Sequence, residues 1–223
     1  SIEQFNQLNS ASLTAMPMIG LSTGVALAEL ERIAVEVLPD GFFIDYSGQS
    51  RLEKSEGNTI LLAFGAALIV IYLVLAAQFE SFRDPFIILM SVPLSIFGAM
   101  LPLFFGLSTL NIYTQVGLIT LIGLITKHGI LMVEFANQQR ETKGASRRQA
   151  IVAAAKTRLR PILMTTAAMV LAVVPLIIAD GAGAAARQAM GIVIFTGLLI
   201  GTIFTLFVVP MFYTLIARSD AEE

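Results

Sequence analysis

The chain has 223 residues, 56% of them apolar and only 13% charged, and its mean hydropathy is +0.81, a balance that reads as a membrane protein and not as a soluble domain. With no cysteine and one histidine, disulfides, thiolate nucleophiles, Cys-ligated zinc or iron–sulfur centres and a histidine metal cluster are excluded. The net charge of −2, with basic residues set beside apolar stretches, argues for membrane placement and against nucleic-acid binding.

Residue 1 is Ser, and no charged segment followed by an apolar run precedes the first element, so the chain is expected to be a piece of something longer. "TAMPMIG" (14–20) predicts a strand and "GFFIDYSG" (41–48) a second one. Between them, residues 22–39 place Leu27, Leu30, Ala34 and Leu38 at helical spacing, with Ser22 as the N-cap. Residues 1–57 thus read as one β-α-β unit, too small to bury a core alone and expected to complete a sheet whose other strands lie elsewhere. "QSRLEKSEGN" (49–58) predicts a short polar surface helix leading into the membrane.

Five apolar segments then follow at 59–79, 85–106, 113–136, 161–179 and 191–216, each near the roughly 20 helical residues that cross about 30 Å of hydrocarbon. The fold class is a membrane all-α bundle of five transmembrane helices over 58–217, with a small N-terminal α/β fragment and a tail at 218–223. Basic residues sort by link: Arg83 in the first, none in the second, Arg140, Lys143, Arg147, Arg148, Lys156, Arg158 and Arg160 in the third, and Arg187 in the fourth. The positive-inside rule makes the first and third links cytoplasmic. With Arg218 also inside and only Arg51, Lys54 and Arg187 outside, residues 1–57 are expected to be periplasmic and the C-terminus cytoplasmic. Pro93, Pro102, Pro175 and Pro210 are expected to kink the spans locally.

Lys127 interrupts "LITKHGILMVEF" (124–135), nine residues before the cytoplasmic end of its span. That is about 13 Å at 1.5 Å per residue, further than a lysine stem comfortably snorkels. An intramembrane ionisable residue is by default a functional candidate, the alternative being a structural lysine bonded to carbonyls or water. Thr120, Gly123, Lys127 and Glu134 share one helix face, and Glu134 is two turns away, too far to be the main partner. None of the other four segments contains Asp or Glu, so the counter-charge should come from outside this chain. His128 points about 100° off that face and reads as a packing or water-bonded residue. "GAGAAAR" (181–187) is a tight outer turn without phosphate-loop spacing.

"VLAAQFESFRDPFIIL" (74–89), "QVGLITLIGLITKHGILMVEFAN" (115–137), "RLRPILMTT" (158–166), "GAGAAARQAMG" (181–191) and "FVVPMF" (207–212) fall in the order and spacing of the resistance-nodulation-division (RND) efflux pumps. The chain resembles the last porter-domain piece and spans eight to twelve of the hydrophobe/amphiphile branch. That resemblance implies a multi-pass protein of the Gram-negative inner membrane that exports hydrophobic and amphiphilic drugs in exchange for protons. It further implies a homotrimer working with a periplasmic adaptor protein and an outer-membrane channel, and neither cofactor nor metal. In such pumps two adjacent aspartates on span four face a lysine on span ten, with an arginine and a threonine on span eleven. Matched motif by motif, the proton-relay residues here are Lys127, Arg158 and Thr165. Two departures are evident: His128 stands where the family commonly has Asn, and the aspartate pair is absent, so this chain alone is incomplete for the family's mechanism. A lipid exporter or a protein-export accessory subunit of the same superfamily is the alternative. An intramembrane hydrolase is disfavoured because His128 has no Ser or Asp within a turn on its own face.

Overall fold

The computed structural model describes residues 3–15, 21–39 and 41–217. In chain order the elements are β1 (Gln4–Phe5), β2 (Leu8–Asn9), α1 (Thr23–Val37), α2 (Gly48–Phe79), α3 (Arg83–Leu89), α4 (Val92–Phe104), α5 (Ile112–Lys143), α6 (Arg147–Ile177) and α7 (Ala184–Ile216).

Of the expected β-α-β unit, the described residues show the helix. Helix α1 forms as anticipated, and the Val25 amide donates to Ser22 Oγ at 3.3 Å, the N-cap bond that satisfies a first-turn donor. The strand expected at 14–20 falls largely on residues 16–20, outside the described residues. Residues 41–47 form no ladder with any of the described residues. The strands among the described residues are β1 and β2, an antiparallel hairpin pairing Gln4 with Asn9 and Phe5 with Leu8. Its turn puts Asn6 and Gln7 at φ 51° and 65°, the double left-handed geometry of a tight hairpin. Leu27 is the one buried residue of α1, while Leu30, Ile33 and Val37 stay exposed. What ties α1 down is polar: Lys54 Nζ of α2 lies 2.5 Å from Glu31, and the Tyr46 hydroxyl donates to the same carboxylate.

Among the described residues, five helices or helix pairs are long and apolar enough to cross a membrane, with α3 and α4 acting as one. The polar surface helix expected at 49–58 is no separate element; it is the first part of the 32-residue α2, which ends on left-handed Glu80. The second span breaks after Leu89 instead of running unbroken. Pro93 near the start of α4 has no N–H for the Leu89 carbonyl and its ring crowds that oxygen. Two serine hydroxyls bond carbonyls on either side of the break, Ser91 Oγ donating to that of Ile88 at 2.8 Å and Ser95 Oγ to that of Val92 at 2.7 Å. Helix α5 opens with a reciprocal Asn111–Thr114 capping box and closes on Gly144 at φ 60°. Helix α6 begins at Arg147, fourteen residues before the expected start, and continues through Pro161.

Helix α7 is the hub against which α4, α5 and α6 pack. Its close approaches depend on glycine. A Cβ on Gly197 would stand 2.3 Å from Leu121 Cδ2, and one on Gly201 2.6 Å from Ser95 Cβ. These two glycines, four apart, form the small-residue face by which membrane helices come together without a hydrophobic driving force. One core cluster joins Ile87, Ile88, Met132, Ile151, Ile162, Val209 and Tyr213, and a second joins Ala99, Leu121, Ile125, Val193 and Leu198. The apolar stretch of α2 is little covered by the rest of the chain.

Candidate functional site

Helix α5 is packed on most of its circumference. Leu121, Ile122, Ile125, His128, Met132, Val133 and Ala136 are buried, and they face α6, α7 and the α3–α4 pair. The expected stripe is the remaining face: Thr120, Gly123, Lys127 and Glu134 are all exposed. Lys127 therefore projects out of the five-helix bundle from the middle of a span. Among the described residues it takes part in no ion pair. Glu134 lies two turns along the same face, about 10 Å away on the helix axis.

Two contacts fix how α6 lies against α5. His128 Nε2 is 3.5 Å from Thr166 Oγ1, and the Arg158 guanidinium stacks 4.9 Å from the centre of the Phe135 ring. The helices run antiparallel, so these contacts set Thr165 at the height of Lys127. Arg158 lies about 10 Å further toward the C-terminal end of α5. Of the three residues singled out from sequence, Lys127 and Thr165 are thus level, and Arg158 is displaced by two turns on the Thr165 face. Helix α6 runs from Arg158 through Pro161 to Thr165 without a break. Thr165 Oγ1 donates to the Ile162 carbonyl at 3.0 Å. Arg158 Nε is buried with no hydrogen-bond partner. Lys127 on the outer face of α5 and Arg158 on the packed face of α6 are two cations that, among the described residues, are in no ion pair with a carboxylate.

Two polar groupings were not anticipated as such. Inside the bundle, His128 (0% exposed) meets Thr166, and Thr166 Oγ1 lies 3.3 Å from Thr202 Oγ1, so a short polar chain crosses from α5 through α6 to α7. That placement agrees with the reading of His128 as a residue off the relay face. Nearer the C-terminal end of α5, Asn137 Nδ2 donates to Asp84 Oδ2 at 2.8 Å and Tyr213 Oη donates to Asn137 Oδ1 at 2.6 Å. Arg140, also buried, supplies nearby positive charge. Asp84 is the acid inside the bundle that the segment count left out, because it stands one residue before the segment at 85–106. It does not answer Lys127, since Asn137 is ten residues, or about 15 Å, along α5.

A model of the AcrB/AcrD/AcrF family matches residues 1–217. An uncharacterized transporter of Haemophilus influenzae (strain Rd) is 54% identical over 223 residues, covering 97% of this chain and 22% of that protein. The toluene efflux pump membrane transporter TtgB of Pseudomonas putida is 40% identical over 217 residues, covering 97% of this chain and 20% of that protein. The multidrug export protein AcrF of Escherichia coli K12 is 38% identical, with coverage of 97% and 21%. The chain therefore spans about a fifth of the length of the curated relatives it matches.

Proposed function

The chain belongs to the AcrB/AcrD/AcrF family of RND efflux transporters and is a multi-pass inner-membrane protein, and from that premise we propose that it is the C-terminal part of a drug/proton antiporter. In this reading residues 1–57 complete a porter domain on the periplasmic side, α2 joins that domain to the bundle, and the C-terminus is cytoplasmic. The exported compounds are hydrophobic and amphiphilic, and the whole transporter works as a homotrimer with a periplasmic adaptor protein and an outer-membrane channel. The relatives carry names of drug and solvent pumps, which is why this reading is preferred to a lipid exporter or an export accessory subunit.

The observation that carries the proposal is the exposure of Lys127 on an otherwise packed mid-membrane helix. An ammonium facing hydrocarbon would be costly; one facing a carboxylate of a neighbouring helix is not. With that acid ionised, Lys127 is held charged against it. When a proton neutralises the acid, the attraction collapses and the helices are free to take a second arrangement. Thr165, level with Lys127, offers a hydroxyl to the same group, and the unused Nε of Arg158 offers a donor two turns nearer the cytoplasm. Each proton crossing the membrane supplies about 2.3 kcal/mol per 100 mV, enough to bias two arrangements of similar stability.

A chimera tests this. Residues 1–217 would replace the matching fifth of the toluene efflux pump of Pseudomonas putida, in a host lacking its own pumps. Solvent tolerance and drug accumulation would be compared at matched expression. Lys127→Ala is expected to abolish export while His128→Asn leaves it close to that of the unsubstituted chimera. Export at the parental rate with Lys127→Ala would return Lys127 to a structural role.

A further inference from the structure

The outer face of α6 has features that the relay does not use. Taking Arg158 as the reference and 100° per residue, the buried Ile151, Ala154 and Ile162 lie within about 40° of it, and Thr165 within about 20°. Lys156, Arg160, Leu163 and Ala167 lie between about 140° and 200°, on the side of α6 turned away from α5 and α7. There a shallow groove is lined by Lys156, Leu159, Arg160, Leu163, Met164 and Ala167. Its two halves differ in chemistry. Lys156 and Arg160 are one turn apart at its mouth, and no acid lines it. Among the described residues neither cation is in an ion pair. From Pro161 to Ile178 the helix has no charged residue, so the mouth sits where the apolar span begins. Leu163, Met164 and Ala167 lie roughly 4 to 10 Å deeper along the axis.

We propose that this groove binds an anionic phospholipid, its phosphate held between Lys156 and Arg160 and an acyl chain lying on Leu163, Met164 and Ala167. Charge decides the class of occupant. Two cations one turn apart attract a phosphate, and Arg160 can hold it through two parallel N–H donors. The apolar floor selects a phosphate attached to a hydrocarbon over the free ion. Headgroup and chain arrive in the order in which the groove presents cation and then apolar surface, and basic clusters at this boundary are a recurrent lipid signature.

The chain has no tryptophan, so a single introduced one reports its own surroundings. Leu163→Trp, at a half-exposed groove position, would be compared with Phe207→Trp, exposed on α7 away from the basic pair. The full chain would be placed in phosphatidylcholine vesicles containing brominated phosphatidylglycerol or brominated phosphatidylcholine at the same fraction, in both leaflets, so that orientation does not matter. Quenching at residue 163 is expected to favour the anionic lipid about threefold or more, with no preference at 207. Lys156→Gln with Arg160→Gln should bring the ratio at 163 to one while leaving total quenching intact. The proposal is overturned if the ratio at 163 is already one, or if the double substitution leaves it unchanged. It is equally overturned if excess inorganic phosphate at constant ionic strength abolishes the preference, which would make the site one for free anions. Absence of quenching at 163 by either lipid would show the face to be covered by protein and would overturn it too.

Discussion

Asn137 joins three helices through one amide, and removing that amide gives a prediction whose size follows from the geometry. Its Nδ2 donates to Asp84 of α3 at 2.8 Å and its Oδ1 accepts from Tyr213 of α7 at 2.6 Å. Asp84 is 8% exposed and Tyr213 is fully buried. Tyr213→Phe removes the bond to Asn137 and leaves an amide oxygen that is only partly buried, and the loss of that bond costs about 0.6–1.5 kcal/mol. Asn137→Ala removes both bonds and strips a buried carboxylate of a donor, which adds a desolvation penalty of about 1–3 kcal/mol. Asn137→Ala is therefore expected to cost about 2–4 kcal/mol, more than Tyr213→Phe. The assay is reversible unfolding of the chain in mixed micelles by increasing detergent denaturant, with Gln138→Ala, exposed on the neighbouring position, as the reference. The double variant should cost less than the two singles combined, since both delete the same Tyr213–Asn137 bond. An Asn137→Ala cost no larger than that of Gln138→Ala, or strict additivity in the double variant, would refute the claim that the amide clamps α5 to α3 and α7.

Gly197→Leu should loosen the packing of α7 on α5, because even a Cβ there runs into Leu121 Cδ2; overpacking costs about 1–3 kcal/mol, read as a shift in the same unfolding midpoint. The contact between α1 and α2 should depend on pH at both ends. Lys54 and then Tyr46 hold the Glu31 carboxyl below its ordinary 4.5, so the tether is present above that value and is lost as pH falls through the lowered one. Burial and then Glu31 push the Tyr46 phenol up to about 12, so its part is present below the ordinary tyrosine range and is lost as pH rises toward 12. Two introduced cysteines, one on each helix of a chain that has none, would report this as a change in label separation at low and at high pH but not between. In the chimera, Lys127→Arg should fail or export poorly, because a planar guanidinium does not reproduce the reach of a compact ammonium; full export by that variant would argue that any cation suffices at the position.

Long apolar segments were the most legible part of the fold: among the described residues, a helix or helix pair long and apolar enough to cross a membrane covers each of the five. Their ends were not legible, for a physical reason. Hydropathy marks where apolar side chains stop, whereas a helix stops where its backbone bonds lose partners, so α6 runs back to Arg147 through polar turns that hydropathy assigns to a loop. Pro93 shows the converse: a proline inside an apolar run ended a helix, while Pro161 and Pro175 did not, and nothing in the residue itself separates these outcomes. The N-terminal strand expected at 41–48 rested on alternation alone, which specifies a strand only when a neighbour is available to pair with it.

The candidate site divides along the same line. That Lys127 is odd, that Glu134 two turns along does not pair with it and that His128 points elsewhere all follow from one-dimensional facts: the cost of a charge in hydrocarbon and 100° per residue. The level match of Thr165 with Lys127 is three-dimensional, set by Phe135 under Arg158 and His128 against Thr166. The Asp84–Asn137–Tyr213 cluster was hidden by the act of drawing spans, since Asp84 and Asn137 each lie one residue outside a segment boundary and Tyr213 passes as an interfacial aromatic. Those boundary positions are where polar groups can be buried at modest cost, close enough to water to be solvated before the helices close and far enough in to be shut off afterwards. The packing that results explains how a chain with an unanswered cation on its surface can still be ordered. The polar chain through His128 and the cluster at Asn137 tie α5 to α3, α6 and α7 at two heights, while Lys127 is left on the one face of α5 that those ties do not use.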